Sequence, residues 1–195
     1  MVINKDFWNK KRVLVTGHTG FKGTWLSLIL TSLNSDVVGY ALDPNTEPSF
    51  FTAVQEKLKL QSIIGDIKDY QHLKQVIDKT NPEIIIHMAA QPLVRLSYDD
   101  PVETYATNVL GLVNLLDISK KCKQLKALLN VTSDKCYQNN EWLWGYRESD
   151  RLGGHDPYSN SKACAELVTS SFRQSFFDKL NIGLATARAG NVIGG

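Results

Sequence analysis

A glycine-rich turn between an apolar run and an amphipathic run is the feature that most restricts how this chain can fold. Residues 12–16, Arg-Val-Leu-Val-Thr, form a short run rich in β-branched residues, as is typical of a buried parallel strand. They lead into Gly17-His18-Thr19-Gly20-Phe21-Lys22-Gly23, and apolar residues then recur at helical spacing over residues 24–33. A strand, a glycine turn and a helix in this order direct backbone N–H groups and a helix N-terminus at a phosphate.

The three glycines of this turn are expected to have different roles. Gly17 permits the tight turn, Gly20 lets the backbone approach a pyrophosphate, and Gly23 allows close packing of helix on strand. The spacing is G-x-x-G-x-x-G, whereas the common dinucleotide fingerprint is G-x-G-x-x-G, so a purely structural turn is the alternative for this stretch alone. Lys22 either contacts the pyrophosphate or is simply exposed.

Further apolar runs divide the chain into alternating strands and helices. Strands are expected at residues 36–43, 62–67, 83–88, 126–131 and 182–188, and the longest helices at 101–121 and 158–180. Residues 44–51 are expected to form a loop, and the residues before 12 a polar lead-in. The pattern predicts an α/β fold with a doubly wound parallel sheet, in which ligands bind at the carboxyl ends of the strands.

Acidic residues follow two of these strands. Asp43 is expected to hydrogen-bond the ribose hydroxyls of a dinucleotide and to repel a 2′-phosphate, which favours NAD over NADP. It comes later after the glycine turn than the usual roughly 20 residues, so a loop carboxylate is the alternative. Asp66 and Ile67 are expected beside the adenine, and Asp66 as the N-cap of the next helix is compatible with that position.

Small residues follow the fourth strand. Ala89, Ala90 and Gln91 are expected to let the dinucleotide pass close to the backbone. His87, at the end of the same strand, is interpreted as a hydrogen-bonded core histidine rather than a catalyst. Asn108 lies on the long helix that follows.

The fifth strand leads into the stretch with the most proton chemistry. Ser133, Asp134 and Lys135 come at its end, and Tyr158 is followed four positions later by Lys162, on one helical face. An ammonium about 4 Å away at an effective dielectric near 20 contributes about 4 kcal/mol, enough to lower a tyrosine pKa by about three units. We therefore expect Lys162, helped by a positive nicotinamide ring, to make Tyr158 a base.

Composition excludes several classes of protein. The 195 residues suffice for one ordinary domain, and 43% hydrophobic with 22% charged residues is the usage of a globular protein. The net charge of +2 and two short basic runs, at 10–12 and 120–121, argue against a nucleic-acid surface. We expect these runs to be solvated, and we expect no membrane span or signal peptide and a cytoplasmic location. Three distant cysteines indicate reduced thiols and no metal site.

The glycine turn, Asn108, Ser133 and Tyr158-x-x-x-Lys162 together resemble the extended short-chain dehydrogenase/reductase family, from residue 12 on. More narrowly, the strings at residues 17–23, 132–137, 144–148 and 153–158 resemble the nucleotide-sugar 4,6-dehydratases that act on CDP-glucose. The resemblance implies a Rossmann fold, NAD as cofactor, a homodimer, and deoxysugar synthesis of the kind used for lipopolysaccharide O-antigen. It implies cofactor contacts by the following residues: Gly17, Thr19, Gly20, Phe21, Lys22, Gly23, Asp43, Asp66, Ile67, Ala89, Ala90, Gln91, Asn108, Tyr158 and Lys162.

The resemblance also implies roles for the catalytic residues. Tyr158 accepts the proton of the sugar C4 hydroxyl, Ser133 hydrogen-bonds that oxygen, and Lys162 holds Tyr158 and the nicotinamide ribose. Asp134 is the candidate acid and Lys135 the candidate base for eliminating water across C5 and C6. Other 4,6-dehydratases carry an Asp-Glu pair here, and as a base Lys135 would have to be neutral. The alternatives are surface residues for this pair, a nucleotide-sugar 4-epimerase, and an NAD-binding module without catalysis.

The sequence ends just past the sixth predicted strand, at Arg188-Ala189-Gly190-Asn191-Val192-Ile193-Gly194-Gly195. Members of the resembled family continue into a smaller region that binds the nucleotide-diphosphate sugar. We therefore expect one NAD-binding domain over residues 1–195 that carries the catalytic residues, with the substrate region mostly absent. We also expect this chain to bind NAD and to turn over weakly or not at all.

Overall fold

Six parallel strands form one sheet in a computed structural model that describes residues 3–193. The strand order is β3-β2-β1-β4-β5-β6, so the chain reverses its direction of winding between the adjacent strands β1 and β4. The strands are β1 (Arg12–Thr16), β2 (Asp36–Ala41), β3 (Leu60–Ile64), β4 (Ile84–His87), β5 (Ala127–Ser133) and β6 (Gly183–Ala189). The expected doubly wound parallel sheet is confirmed, and the ends of the expected domain, residues 1, 2, 194 and 195, lie outside the described residues.

Helices connect the strands. They are α1 (Lys5–Trp8), α2 (Phe21–Ser32), α3 (Phe50–Val54), α4 (Tyr70–Thr80), α5 (Val94–Asp99), α6 (Pro101–Tyr105), α7 (Gly111–Ser119), α8 (Pro157–Phe172) and α9 (Asp178–Leu180). Single 3₁₀ turns lie at Gln55–Lys57 and Asp134–Cys136. Two π-helical segments, Ala106–Leu110 and Arg173–Phe177, interrupt the two long predicted helices, the first between α6 and α7 and the second between α8 and α9.

Alternate residues of the buried strands face opposite sides of the sheet, as the two-residue period of a strand requires. Leu14, Ile85 and Leu128 pack with α4, α7 and α8 on one side. Val13 and Ile86 pack with residues of α2 on the other side. Because both faces of the sheet are covered, only the strand ends are available to a ligand.

The boundaries of six elements differ from those expected. Strand β2 ends at Ala41, two residues before Asp43, and β3 is shifted towards the N-terminus by two to three residues. Strand β5 runs on to Ser133 because its pairing with β6 continues through Thr132 opposite Arg188. The polar lead-in contains α1, and the loop expected at residues 44–51 already begins α3, whose N-cap Ser49 accepts a hydrogen bond from the Thr52 N–H. Helix α2 starts at Phe21 inside the glycine turn.

The charged runs are less solvated than expected. Lys11 and Arg12 both contact Glu83, at 3.3 and 3.9 Å, and Lys120 pairs with Asp117 at 2.8 Å.

The three cysteines are free thiols, as expected. Within residues 3–193, no helix has the length and apolar character needed to cross a bilayer. The same residues contain no group of three or more His, Cys, Asp or Glu side chains placed to hold a metal ion.

Candidate functional site

A cavity of about 540 Å³ opens at the carboxyl ends of the strands, where the winding of the sheet reverses. Its size is within the range of ligand sites. Sixteen of the eighteen site residues expected from the sequence line this cavity, namely Gly17, Thr19, Gly20, Phe21, Lys22, Gly23, Asp43, Asp66, Ile67, Ala89, Ala90, Ser133, Asp134, Lys135, Tyr158 and Lys162. Gln91 and Asn108 do not line it.

The glycine turn forms one wall of the cavity. Gly17 has a φ of +75°, and a Cβ there would lie 2.7 Å from the backbone nitrogen of Ala89. A Cβ on Gly23 would lie 2.1 Å from the Gly17 carbonyl oxygen, so its close packing is against the turn itself rather than against the strand. A Cβ on Gly20 would meet the same oxygen at 3.5 Å, an ordinary contact. The fold thus requires glycine at positions 17 and 23, whereas at position 20 the protein has room for a Cβ.

The two expected acidic contacts lie at one end of the cavity. Asp43 is exposed, in the segment that follows β2. Asp66 accepts a hydrogen bond from the Lys68 N–H at 2.8 Å and pairs with the Lys68 ammonium at 3.4 Å. The suggestion that Asp66 caps the next helix is wrong: Asp69 is the N-cap of α4 and accepts from the His72 N–H. The shorter β3 leaves room for a turn between Asp66 and the helix.

Two buried histidines fix the strand ends below the cavity. The Nδ1 of His87 lies 2.7 Å from the Thr16 hydroxyl, which joins β4 to β1, and the core role expected for His87 is confirmed. His18 reaches beneath β2 to place its Nε2 2.7 Å from the Ser62 hydroxyl. Burial lowers the pKa of His87 to about 3 and that of His18 to about 4, so both are neutral at neutral pH.

Helix α8 brings Tyr158 and Lys162 to the opposite wall. The helix starts at an Asp-Pro pair, in which Asp156 accepts the Ser159 N–H at 2.9 Å as N-cap and Pro157 occupies the first turn. The Tyr158 N–H donates to the Ser97 hydroxyl at 3.1 Å. Both Tyr158 and Lys162 are buried. The start of the helix is therefore held by contacts that do not depend on a ligand.

Burial dominates the pKa values of both members of this pair. Burial raises the pKa of Tyr158; the Ser133 hydroxyl lowers it by hydrogen bonding, and the charges of Asp134 and Asp156 raise it again. Burial, with a contribution from the charge of Lys22, lowers the pKa of Lys162 to about 8. Lys162 is not among the groups that lower the tyrosine pKa in the protein by itself, and the expectation that Lys162, helped by a positive nicotinamide ring, makes Tyr158 a base stays a prediction. Lys22 faces the cavity and influences Lys162, so it is not simply exposed.

The candidate acid and base follow β5 in a 3₁₀ turn. The Ser133 hydroxyl donates to a carboxylate oxygen of Asp134 at 3.0 Å and accepts the Lys135 N–H at 3.2 Å. The Lys135 ammonium lies 3.6 Å from Asp134. Both side chains are about half exposed, yet both line the cavity beside Ser133 and Tyr158. The pair is thus exposed to solvent and also lines the cavity. Surface residues and a candidate acid and base, the two alternatives for this pair, are therefore compatible.

Asn108 and Gln91 lie behind the cavity wall. The Asn108 side chain accepts the Gln91 N–H at 2.8 Å and donates to the Gln91 carbonyl and to the Ser161 hydroxyl, at 3.1 and 2.9 Å. Ser161 stands between Tyr158 and Lys162 on α8. Asn108 therefore ties the segment after β4 to helix α8. It lies in the π-helical segment after α6, a kind of irregularity found frequently at functional sites.

Two sets of residues at or behind the cavity were not predicted from the sequence. Gly190 and Asn191 line the cavity just after β6, and the rule that ligands bind at strand ends would have identified them. An ion pair between the buried Glu166 on α8 and the partly buried Arg188 on β6 lies behind the Ser133 end of the cavity. No local motif marks this pair, because its members are 22 residues apart and meet only through the sheet.

Comparison with known proteins places this arrangement in a family. The chain is 59% identical over its whole length to the CDP-glucose 4,6-dehydratase of Salmonella typhimurium and covers 55% of that protein. Among solved structures, it resembles UDP-glucose 4-epimerase from Brucella ovis in complex with NAD (TM-score 0.75, 26% identity, 85% of this chain and 49% of the other). It also resembles epimerase Mth375 of Methanothermobacter thermautotrophicus (TM-score 0.82, 24% identity, 94% and 52%), which bears on the fold alone.

The chain spans about half the length of the proteins it matches. The sequence model of one family, GDP-mannose 4,6 dehydratase, matches residues 14–186, which extend from β1 into β6 and include the glycine turn and the Tyr158–Lys162 helix. On this match and the geometry of the cavity, the chain belongs to the GDP-mannose 4,6 dehydratase family.

Proposed function

We propose that this chain is the cofactor-binding and catalytic part of a nucleotide-sugar 4,6-dehydratase, a lyase, that converts CDP-glucose to CDP-4-keto-6-deoxyglucose. The observation that carries the proposal is the Asp134–Lys135 pair, which lines the same cavity as Ser133, Tyr158 and Lys162. One end of the cavity thus offers groups for oxidising a hydroxyl and a second acid and base for an elimination. The 59% identity to a CDP-glucose 4,6-dehydratase supports the choice of substrate.

The residues present fit NAD. A dinucleotide needs a turn whose backbone it can approach, and the Gly17–Gly20 segment at the start of α2 supplies one without side-chain obstruction. Asp43 and Lys22 both line the cavity; a ribose contact by Asp43 would exclude a 2′-phosphate, and Lys22 adds a positive charge in the turn. When bound, NAD would accept the hydride from the sugar C4 and return it to C6.

The oxidation half of the site uses Tyr158, Ser133 and Lys162. Tyr158 takes the proton of the C4 hydroxyl while Ser133 hydrogen-bonds the same oxygen. Because burial raises the tyrosine pKa, this step requires a positive charge near the phenol in the assembled complex, and Lys162 is the side chain that can supply it. Lys162 also holds the nicotinamide ribose.

The elimination half uses Asp134 and Lys135. Once C4 is a carbonyl, the proton on C5 is acidic, and Lys135 removes it after passing a proton to Asp134, which lies 3.6 Å away. Asp134 protonates the C6 hydroxyl, the C6–O bond breaks, and water leaves. A proton then returns to C5 when the double bond between C5 and C6 is reduced, so the product differs from the substrate by one water.

A nucleotide-sugar 4-epimerase is the second candidate, favoured by the structural similarity to UDP-glucose 4-epimerase. The test is to treat CDP-glucose with the complete encoded protein in heavy water and to examine the product by mass spectrometry and NMR. The dehydratase proposal expects deuterium at C5 and loss of the C6 oxygen. A sugar that is inverted at C4 and carries no solvent deuterium would overturn it.

An NAD-binding module without catalysis is the third candidate. It requires that Tyr158→Phe leave function untouched. Our proposal expects this variant to retain its fold and NAD affinity and to lose about 10²- to 10⁴-fold in the rate of C4 oxidation, the usual contribution of a positioned acid or base. Matched circular dichroism and an NAD titration separate this loss from unfolding.

The remaining features of the protein are proposed from the same observations. We place one NAD-binding domain over residues 1–195, with weak turnover by this chain alone because it spans only about half the length of the relative it matches. A cytoplasmic location is supported by the free cysteines, which suit a reducing compartment. A homodimer is supported by exposed apolar residues on α6 and α8, and a role in deoxysugar synthesis, such as that of O-antigen, follows from the proposed product.

A further inference from the structure

A buried ion pair behind the cavity joins three elements of the site. Glu166 is 6% exposed, and one of its carboxylate oxygens accepts from Arg188 at 2.9 Å and from the Thr186 hydroxyl at 3.0 Å. Its other oxygen accepts from the Thr132 hydroxyl. Glu166 belongs to α8, Thr132 to β5, and Arg188 and Thr186 to β6. The carboxylate is thus fully engaged although it lies in the interior.

Arg188 extends this network to the loop beyond the catalytic turn. It lies opposite Thr132 in the sheet, and a second guanidinium nitrogen donates to the Glu148 carbonyl at 3.0 Å. Its guanidinium carbon stands 4.8 Å from the centre of the Tyr137 ring, a cation–π geometry. Tyr137 in turn stacks on Tyr146, with ring centres 5.0 Å apart. One side chain therefore contacts a buried carboxylate, a backbone carbonyl and an aromatic ring.

The 3₁₀ turn of Asp134 and Lys135 lies between the two points that this network holds. Thr132 precedes the turn and Tyr137 follows it, and both contact members of the ion pair. The Asp134 and Lys135 side chains themselves are half exposed and contact each other at 3.6 Å, so they contribute little rigidity. The position of the turn depends on what holds its two ends and on the buried Cys136 within it.

We infer that Arg188, held by Glu166, is a positioning residue that fixes the Asp134–Lys135 turn for the elimination half of the reaction. This inference rests on the dehydratase activity proposed above. The oxidation half has other supports: Asp156 caps α8, Ser97 holds the Tyr158 N–H, and Asn108 holds Ser161. Loss of the Arg188 contacts should therefore slow elimination far more than it slows oxidation at C4.

Two variants of the complete encoded protein test this inference. Arg188→Lys keeps a positive charge beside Glu166 but cannot contact Glu166, the Glu148 carbonyl and the Tyr137 ring at once. Tyr137→Leu removes the ring and leaves the buried ion pair intact, which avoids an unpaired carboxylate in the interior. Arg173→Lys, an exposed arginine on the segment after α8, is the matched control.

The measurements are single-turnover rates with CDP-glucose and amide hydrogen exchange of residues 134–137. We expect both variants to oxidise C4 within about threefold of the wild-type rate, and to eliminate water at least about tenfold more slowly, as loss of a positioned acid and base requires. We expect their amide exchange over residues 134–137 to quicken at least about tenfold, and the control to change neither quantity.

The outcomes separate the inference from the proposed function. Equal slowing of oxidation and elimination, or unchanged amide exchange over the turn in both variants, overturns the positioning role while the wild-type product still supports a dehydratase. A wild-type protein that yields no 4-keto-6-deoxy product overturns the proposed function, and hydrogen exchange then decides whether Arg188 holds the turn. Faster exchange confined to residues 134–137 supports that it does.

Discussion

Burial dominates the protonation of the residues on which the proposed chemistry depends. Lys162 is buried beside the cavity, and its pKa falls to about 8 because an ammonium loses its hydration there and because Lys22 is nearby. The phenol of Tyr158 responds to burial in the opposite direction, since its charged form is the anion. Burial therefore shifts the pKa values of both Tyr158 and Lys162 in the direction that favours their neutral forms.

This depression of the Lys162 pKa predicts a pH-dependent stability. Below about pH 8 the ammonium is charged in the folded and the unfolded chain, and the folded state carries the full cost of burying it. Between about 8 and 10.5 the unfolded chain retains a proton that the folded chain has lost, so this residue makes the protein more stable as the pH rises. Lys162→Met should therefore be more stable than wild type by about 3 kcal/mol near pH 7.

Urea unfolding of Lys162→Met and of the wild type across this range measures the difference. We expect the gap to close as the pH rises from about 8 to 10.5. Lys79→Met, at an exposed position on α4, is the matched control and should show no such change. A constant gap between wild type and Lys162→Met would contradict the assigned environment of Lys162.

At the scale of elements, Gly20 and Gly23 lie close together where the glycine turn leads into α2, yet we expect them to have different roles. Substituting each glycine in turn separates these roles. Gly23→Ala places a Cβ 2.1 Å from the Gly17 carbonyl oxygen, so the turn or the helix must move, at about 1 to 3 kcal/mol. Gly20→Ala meets that oxygen at 3.5 Å and should fold nearly as well. If Gly20 faces a pyrophosphate, its variant should weaken NAD binding about tenfold while costing less than about 1 kcal/mol of stability.

Chemical denaturation and NAD titration by calorimetry check this pair of variants. Gly23→Ala should lose stability first and NAD affinity only as a consequence. An equal loss of stability in both variants would contradict the assignment of different roles to Gly20 and Gly23.

Elements whose pattern is local were predictable, and contacts between distant elements were not. The periodicity of residues 12–33 identified β1, the turn and most of α2, because strand, glycine and helix signals lie next to each other. The end of β5 was missed because Thr132 and Ser133 are polar and continue the strand only through pairing with β6. The Glu166–Arg188 pair and the clamp of Asn108 on Ser161 join distant parts of the chain, and no local spacing encodes them.

At the scale of the whole molecule, two helical segments carry apolar side chains that the sheet does not cover. Val102 is 78% exposed, and Leu110 and Leu167 are each 60% exposed. The first two belong to α6 and the π-helical segment after it, and the third to α8. A second copy of the chain would bury them across a two-fold axis, as the proposed homodimer requires.

Charged substitutions on these helices test the dimer. Leu110→Glu combined with Leu167→Glu should convert a two-copy species to a monomer in sedimentation velocity, because a charge buried in an apolar interface is unfavourable. Leu143→Glu, at a fully exposed loop position, is the matched control and should leave the mass unchanged. A wild-type protein that sediments as a monomer at all concentrations would exclude the proposed interface.

The fate of the hydrogen on C4 tests the central claim most directly. The account predicts that CDP-glucose labelled with deuterium at C4, given to the complete encoded protein, yields a 4-keto-6-deoxy sugar whose label is in the C6 methyl group. This result requires oxidation at C4, loss of the C6 hydroxyl and return of the same hydrogen within one active site. A product that keeps the deuterium at C4 with inverted configuration, or a C6 methyl group without label, would contradict the account.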